Sequence, residues 1–203
     1  MAARGRPRAF DRDEALRRAL EVFWTKGFEG ASMTDLTGAM GIASPSLYAA
    51  FGSKEALFRE ATRLYAADFG ALIWDEAERA DTAFGAIEAL LFGSARAFTE
   101  PARPKGCFVT LSALTGGDAS AALCDDMSAR RRGKIEWLVE RIARGVVAGD
   151  VAPGTDARAL ARFYWAVQQG MAIQARDGAD RAALEAVARS ALAAWPALVA
   201  TIG

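Results

Sequence analysis

Apolar residues recur at intervals of three and four along most of this chain, the period of a helix buried on one side. Asp11 and Glu14 open the first run as a cap and its reciprocal partner, Leu16, Ala19, Leu20 and Phe23 form its inner stripe, and Gly27 ends it. Phe28 follows as a plug for a small core. Ser32-x-x-Asp35 is a second capping-box signature, with Met33, Leu36, Thr37 and Met40 on one face and Gly41 where a helix ends in a left-handed residue. Ser44 reads as the next cap, with Pro45 at the first helical position, and Leu47 and Phe51 as the buried side. Gly52 closes this second short helix and Ser53 caps a longer one. Its apolar period (Leu57, Phe58, Ala61, Leu64, Tyr65) persists toward Trp74 with no flexible linker.

The remainder stays helical. Residues 82–99 carry Phe84, Ile87, Leu90, Leu91 and Phe98, and Pro101 and Pro104 end the run. Residues 106–114 (GCFVTLSAL) are locally ambiguous, since Val109 and Thr110 suit a strand. A lone strand has no partner here, so helix is expected, broken by Gly116 and Gly117. A long helix is predicted over about residues 119–148, with Leu123, Met127, Ile135, Leu138, Val139 and Ile142 inward and Arg130, Arg131 and Arg132 on a solvated face, or alternatively in a second DNA patch. Residues 156–176 carry apolar side chains on more than one face, so this helix must be buried on two sides. Residues 179–199 form the last helix, with Pro196 near its end. The fold class is all-α.

Composition narrows the function classes. Apolar residues make up 52% of the 203, charged residues 25%, and 25 basic side chains balance 25 acidic ones, so any attraction to nucleic acid is local. Cys107 and Cys124 are too few for a disulfide framework and fit a reducing cytoplasm. The start of the chain lacks the apolar core of a signal peptide, and no run of about 18 uninterrupted apolar residues marks a membrane span. Histidine is absent, which removes the commonest metal ligand and general base. No catalytic set or phosphate loop is present, so neither an enzyme nor a cofactor or metal is expected.

The short helix over residues 44–51 is unusual in what it leaves outside. Ser44, Ser46, Tyr48, Ala49 and Ala50 are small or hydroxylated, and none is charged. A solvated face would carry Glu, Lys or Arg, whereas a helix entering a major groove needs little bulk, hydroxyls and methyls. The alternative is a structural hairpin in a helical protein-interaction module. The run G-I-x-x-P-S-L-Y-x-x-F-x-S-K-E-x-L-F, residues 41–58, decides for the first reading. With the residues around it, 5–65, it resembles the N-terminal domain of the TetR (tetracycline-repressor, TetR/AcrR) family of transcriptional regulators.

That resemblance implies an N-terminal three-helix helix-turn-helix DNA-binding domain, placed at residues 1–52. It implies a larger helical effector-binding and dimerisation domain at 53–203. It further implies a homodimer whose two recognition helices occupy successive major grooves of a palindromic double-stranded operator, with repression the expected direction. The expected DNA contacts are Thr34, Ser44, Pro45, Ser46, Tyr48, Ala49, Ala50 and Lys54. Tyr48 and Lys54 match the family's phosphate-contacting tyrosine and lysine, while Thr34 stands where many members have arginine. Arg4, Arg6 and Arg8 suit an arm reaching phosphates or the minor groove, or else a charged tail.

The resemblance also implies a cavity for a small-molecule effector, which an aromatic and methionine-rich lining would make apolar or aromatic. Its candidate lining is Phe69, Phe98, Cys107, Phe108, Leu111, Trp137, Phe163, Gln168 and Met171, each of which could equally be plain core. Without histidine, a ligand carboxylate would need an arginine or a hydroxyl. Cys107 is alternatively a redox or electrophile sensor. The last two helices carry more apolar surface than one layer absorbs, which suggests an intermolecular four-helix bundle rather than a buried internal pair. Phe163, Tyr164, Val167, Met171, Leu184, Val187, Ala191, Leu192 and Trp195 are its expected residues.

Overall fold

Why the N-terminal helices form is visible at their ends. The computed structural model describes residues 10–112 and 119–199, and among these there are helices and no strand. Helix α1 (Arg12–Gly30) is capped by Asp11, whose carboxylate accepts from the Asp13 and Glu14 amides. Glu14 does not complete a box as expected; its carboxylate pairs with Arg18 at 2.9 Å. The helix breaks at Gly27, whose φ of 73° is left-handed. Helix α2 (Met33–Met40) has the predicted reciprocal box between Ser32 and Asp35 and ends at left-handed Gly41. Helix α3 (Ser44–Phe51) departs from expectation by one position. Ala43 is its N-cap and makes no side-chain cap, which puts Ser44 inside the first turn with Pro45 after it. Leu47 and Phe51 are buried, as are Leu36 and Met40 of α2. They close over a ring cluster in which Phe58 meets Phe23 and Phe28 edge-on at 5.0 and 5.3 Å.

Ser53 caps α4 (Lys54–Tyr65) through the Ala56 amide. The helical path runs on, as the apolar period predicts, through a π-helical turn (Ala66–Gly70) into α5 (Ala71–Arg79). Nothing in the apolar period marks that turn. A π-turn inserts one residue into the helical ladder, which re-aims α5 so that Ile73, Trp74 and Ala77 enter the second core.

That core is built by α5, α6 (Ala83–Phe98), α8 (Ala121–Ala148), α9 (Ala157–Arg176) and α10 (Arg181–Ala193). In the described part of the 106–114 stretch, residues 106–112, Phe108–Leu111 forms a single turn, α7; Ala113, Leu114, Gly116 and Gly117 lie outside the described residues. The expected last helix is two, since α10 stops at Ala194 and Trp195–Val199 forms α11.

Gly106 positions α7. Its φ is 80°, and a Cβ there would lie 2.5 Å from the Ala172 carbonyl oxygen and 2.7 Å from Leu111 Cδ1. Backbone cannot yield as a flexible side chain can, and left-handed strain alone costs about 1–3 kcal/mol. Gly106→Ala should therefore lose about 2 kcal/mol or more in urea unfolding. Gly133→Ala, at a helical position with open space around the missing Cβ, should match or exceed wild type.

Candidate DNA-binding face and effector cleft

Ser44, Pro45, Ser46, Tyr48 and Ala49 are exposed on α3, and Thr34 is exposed on α2 beside them. Ala50 is half-buried and packs against the core, and its carbonyl accepts from Arg12 at 3.2 Å. It sits at the rim of this face rather than on it, because α3 turns its Leu47 and Phe51 side inward. Tyr48 is 48% exposed, a large amphipathic ring with no intramolecular reason to face water. Nearby cations are mostly neutralised: Arg12 pairs with Glu60 at 2.9 Å and Lys26 with Asp35 at 2.6 Å. Lys26, with the Ser32 hydroxyl and amide, holds the Asp35 carboxyl down at about 2. Lys54 differs. Its ammonium lies 4.5 Å above the Phe28 ring and makes no ion pair among the described residues. It occupies the first turn of α4, where the helix dipole disfavours a cation. Arg4, Arg6 and Arg8 lie outside the described residues.

A cleft of about 530 Å³ opens between α4, α5, α7, α8 and α9. It brings together Cys107, Trp137 and Gln168 from the expected lining. The other expected residues lie elsewhere for packing reasons. Phe98 and Met171 are fully buried in the main core. Phe108 is fully buried between Phe58, Tyr65 and Trp24, with ring centroids at 5.2, 5.4 and 6.4 Å. Phe69 stacks on Tyr65 under Arg103. Leu111 folds back beneath Gly106, and Phe163 faces a separate groove.

The cleft wall also contains Tyr65, Trp74, Thr110, Arg130, Arg131, Lys134 and Trp165. Arg131 is thus not on a solvated face; it is half-buried and donates to the Val109 carbonyl at 3.4 Å. A signal for this existed in the sequence. Neither Arg131 nor Lys134 has a carboxylate three or four residues away, where a solvated helix would place one. The Cys107 thiol is buried and accepts from the Tyr65 hydroxyl at 3.4 Å. Burial pushes the Tyr65 phenol well above its ordinary range, and the neighbouring thiol pushes it further.

Three helices, α8, α9 and α7, tie this cleft to the N-terminal helices. At the start of α8, Ser120 donates from its amide and hydroxyl to Glu55, both at 2.9 Å, bonds that hold the Glu55 carboxyl below its ordinary range. The same end of α8 gives the Asp126–Arg59 pair at 2.7 Å and the Ala119 amide to Glu29 at 2.8 Å. From α9, Arg176 donates to the backbone carbonyls of Trp24 and Thr25. From α7, Phe108 enters the ring cluster.

Between α9 and α10, an open groove is lined by Phe163, Val167, Ala186, Val187, Ser190 and Ala191. Of the expected interface residues, Tyr164, Met171 and Leu184 are fully buried in this chain's own core, and Leu192 and Trp195 nearly so. The twofold burial read from the sequence divides accordingly, with those side chains packing inward and Phe163, Val167 and Val187 left at the surface. The segment Arg181–Val199 has a mean hydropathy of 1.3 and is long and apolar enough to cross a bilayer, yet only 28% of it is buried. It is interrupted at Ala194 and carries the Arg181–Glu185 pair.

Comparison with known proteins gives consistent results. The family model "Bacterial regulatory proteins, tetR family" matches residues 15–61, and "Tetracyclin repressor-like, C-terminal domain" matches residues 83–191. The HTH-type transcriptional repressor ComR of Escherichia coli (strain K12) is 34% identical over 201 residues, 97% of this chain and 94% of ComR. Among solved structures, a cysteine variant of the TetR family transcriptional regulator CifR, complexed with a 26-base-pair operator duplex, is 49% identical. It aligns with a TM-score of 0.89 over 94% of this chain and 100% of that one. A TetR regulator from Rhodococcus sp. RHA1 is 36% identical with a TM-score of 0.59, over 93% of this chain and 99% of the other.

Proposed function

This chain belongs to the tetR family of bacterial regulatory proteins and is a DNA-binding transcriptional regulator, and on that premise we propose that it is a cytoplasmic repressor released from a palindromic operator by a small-molecule effector. The observation that carries the DNA reading is the uncharged exposed face of α3 with Lys54 beside it. Helix α3 reads base edges through Ser44, Ser46 and Ala49, while Tyr48, Lys54 and Thr34 hold the phosphates. Residues 1–52 form the DNA-binding unit and residues 53–203 the effector and dimerisation unit, with α4 beginning at Lys54 just past the boundary. The names of ComR and CifR, a repressor and a regulator complexed with its operator, support the same reading.

Effector release uses the three ties from the cleft. A ligand that favours one position of α8 shifts the population of dimers whose recognition helices match a half-site spacing of about 34–36 Å or a multiple. Helix α8 reaches from the cleft to Glu55 and Arg59 of α4, so movement at one end is felt at the other.

The second copy covers the groove of Phe163, Val167 and Val187. Val187→Glu should convert a particle of twice 21.6 kDa into one of 21.6 kDa in light scattering, because a carboxylate buried in that groove would have no partner. An unchanged mass would move the dimer interface elsewhere.

Selection of random duplexes against the protein, at stated salt, tests the whole reading. An enriched palindrome is expected. Retention that depends on salt alone and not on sequence would overturn specific recognition.

A further inference from the structure

The chemistry of the cleft is more specific than its apolar lining. We propose that the effector is an amphipathic organic carboxylate, its charge held by Arg131 and Lys134 and its aromatic or alkyl body packed among Trp74, Trp137 and Trp165. This rests on the cleft being the effector site.

Three independent observations carry it. First, the cations are unmatched. Lys134 and Arg131 make no ion pair with any carboxylate of the described residues. Asp75, the one carboxylate among the described lining residues, pairs instead with Arg79 at 3.5 Å. Glu78 acts on Lys134 only at longer range. Burial lowers the pKa of both cations, the condition under which an incoming anion gains most, since low dielectric strengthens the pairing. Second, the apolar part is aromatic and already arranged. The Lys134 ammonium sits 3.9 Å over the Trp74 ring, and Trp74 lies edge-on to Trp137 at 5.1 Å and tilted to Trp165 at 6.1 Å. The charge is therefore set over the face of one ring of an aromatic wall, which suits a ligand with one charged end.

Third, two polar atoms on the wall lack partners. Gln168 is 2% exposed and Thr110 is 3% exposed. The Gln168 amide nitrogen donates to Ser94 at 3.3 Å, while its carbonyl oxygen and the Thr110 hydroxyl have no hydrogen-bond partner among the described residues. A buried unpaired acceptor is costly, and a hydroxyl or N–H on the ligand would satisfy it. The cleft volume of about 530 Å³ exceeds what a single-ring acid needs and falls within the usual range for small-molecule sites.

The test uses the full-length protein and its own tryptophan fluorescence, since three of the five tryptophans line the cleft. The probes are 4-hydroxyphenylacetate, the matched 4-hydroxyphenylacetamide, and the neutral dye N-phenyl-1-naphthylamine as a displaceable reporter. The carboxylate should bind at least about tenfold tighter than the amide, the usual size of a charge-assisted hydrogen bond. Arg131→Met and Lys134→Met should each remove most of that preference while leaving amide and dye binding in place. Equal affinity for acid and amide, or dye binding that neither displaces, overturns the carboxylate and leaves the cleft as an effector site. Absence of binding by all three, dye included, overturns both.

Discussion

Tyr48→Ala and Lys54→Ala are each expected to weaken DNA binding about tenfold, and together about a hundredfold, on operator and unrelated duplex alike. The uniformity follows from what these side chains are. Tyr48 is the large exposed ring at the edge of an otherwise small face, and Lys54 is the nearby cation with no ion pair among the described residues. Both suit phosphates, which are the same in every sequence. Lys54 has a second signature. Each phosphate contact contributes about 0.9 to the slope of log affinity against log salt, so its loss from both subunits of a dimer should flatten that slope by roughly two. Tyr48→Phe separates the hydroxyl from the ring: if the contact is a hydrogen bond to phosphate, phenylalanine should lose nearly as much as alanine. Ser46 and Ala49 variants should behave differently, changing which duplexes are enriched in a selection while keeping affinity for their own best site. Wild-type affinity in both Tyr48→Ala and Lys54→Ala would remove α3 from the DNA interface.

The candidate DNA-binding face was legible because its determinants are local. Caps, glycines and helical periods act over a few residues, so Ser32, Asp35, Gly41 and Gly52 place α2 and α3 almost to the residue. Ala43 took the cap position expected of Ser44 because Pro45 is tolerated at either of the first helical positions. The cleft was less legible because it is made by juxtaposition. Apolar spacing identifies side chains that leave water, but it cannot separate a core from the wall of a cavity. Phe98 and Met171 fit the same period as Trp165 and Gln168, and only packing sends the first pair into the core and the second to the cleft. The interface residues divided for the same reason: Tyr164 and Val167 are three apart on α9, yet one is fully buried and the other lies in the open groove. What could have been read was charge. Arg131 and Lys134, without carboxylates at helical spacing and next to Trp137, were a sign of a cleft wall rather than a solvated face.

Phe108→Ala should lose about 3–5 kcal/mol, the usual range for deleting a fully buried aromatic, which is a large share of a domain's total stability. Its place in the fold makes a further outcome specific. Phe108 belongs to the one-turn helix beside the cleft, with Cys107, Val109 and Thr110 on the cleft wall. Its ring is packed against Trp24 of α1 and Phe58 and Tyr65 of α4. It therefore joins the core of the N-terminal helices to the core of the rest. Removing it takes away contacts that belong to both, so urea unfolding followed by two probes should no longer coincide. Tyrosine and tryptophan signals from the cleft region would then separate from loss of operator binding. Phe108→Leu keeps most of the volume and should cost less than about 1.5 kcal/mol, with one transition and near-normal DNA affinity. A single coincident transition in Phe108→Ala would mean that the α8 contacts through Ser120 and Asp126 suffice to hold the two cores together. The path from effector to DNA would then run through α8 rather than through the ring cluster.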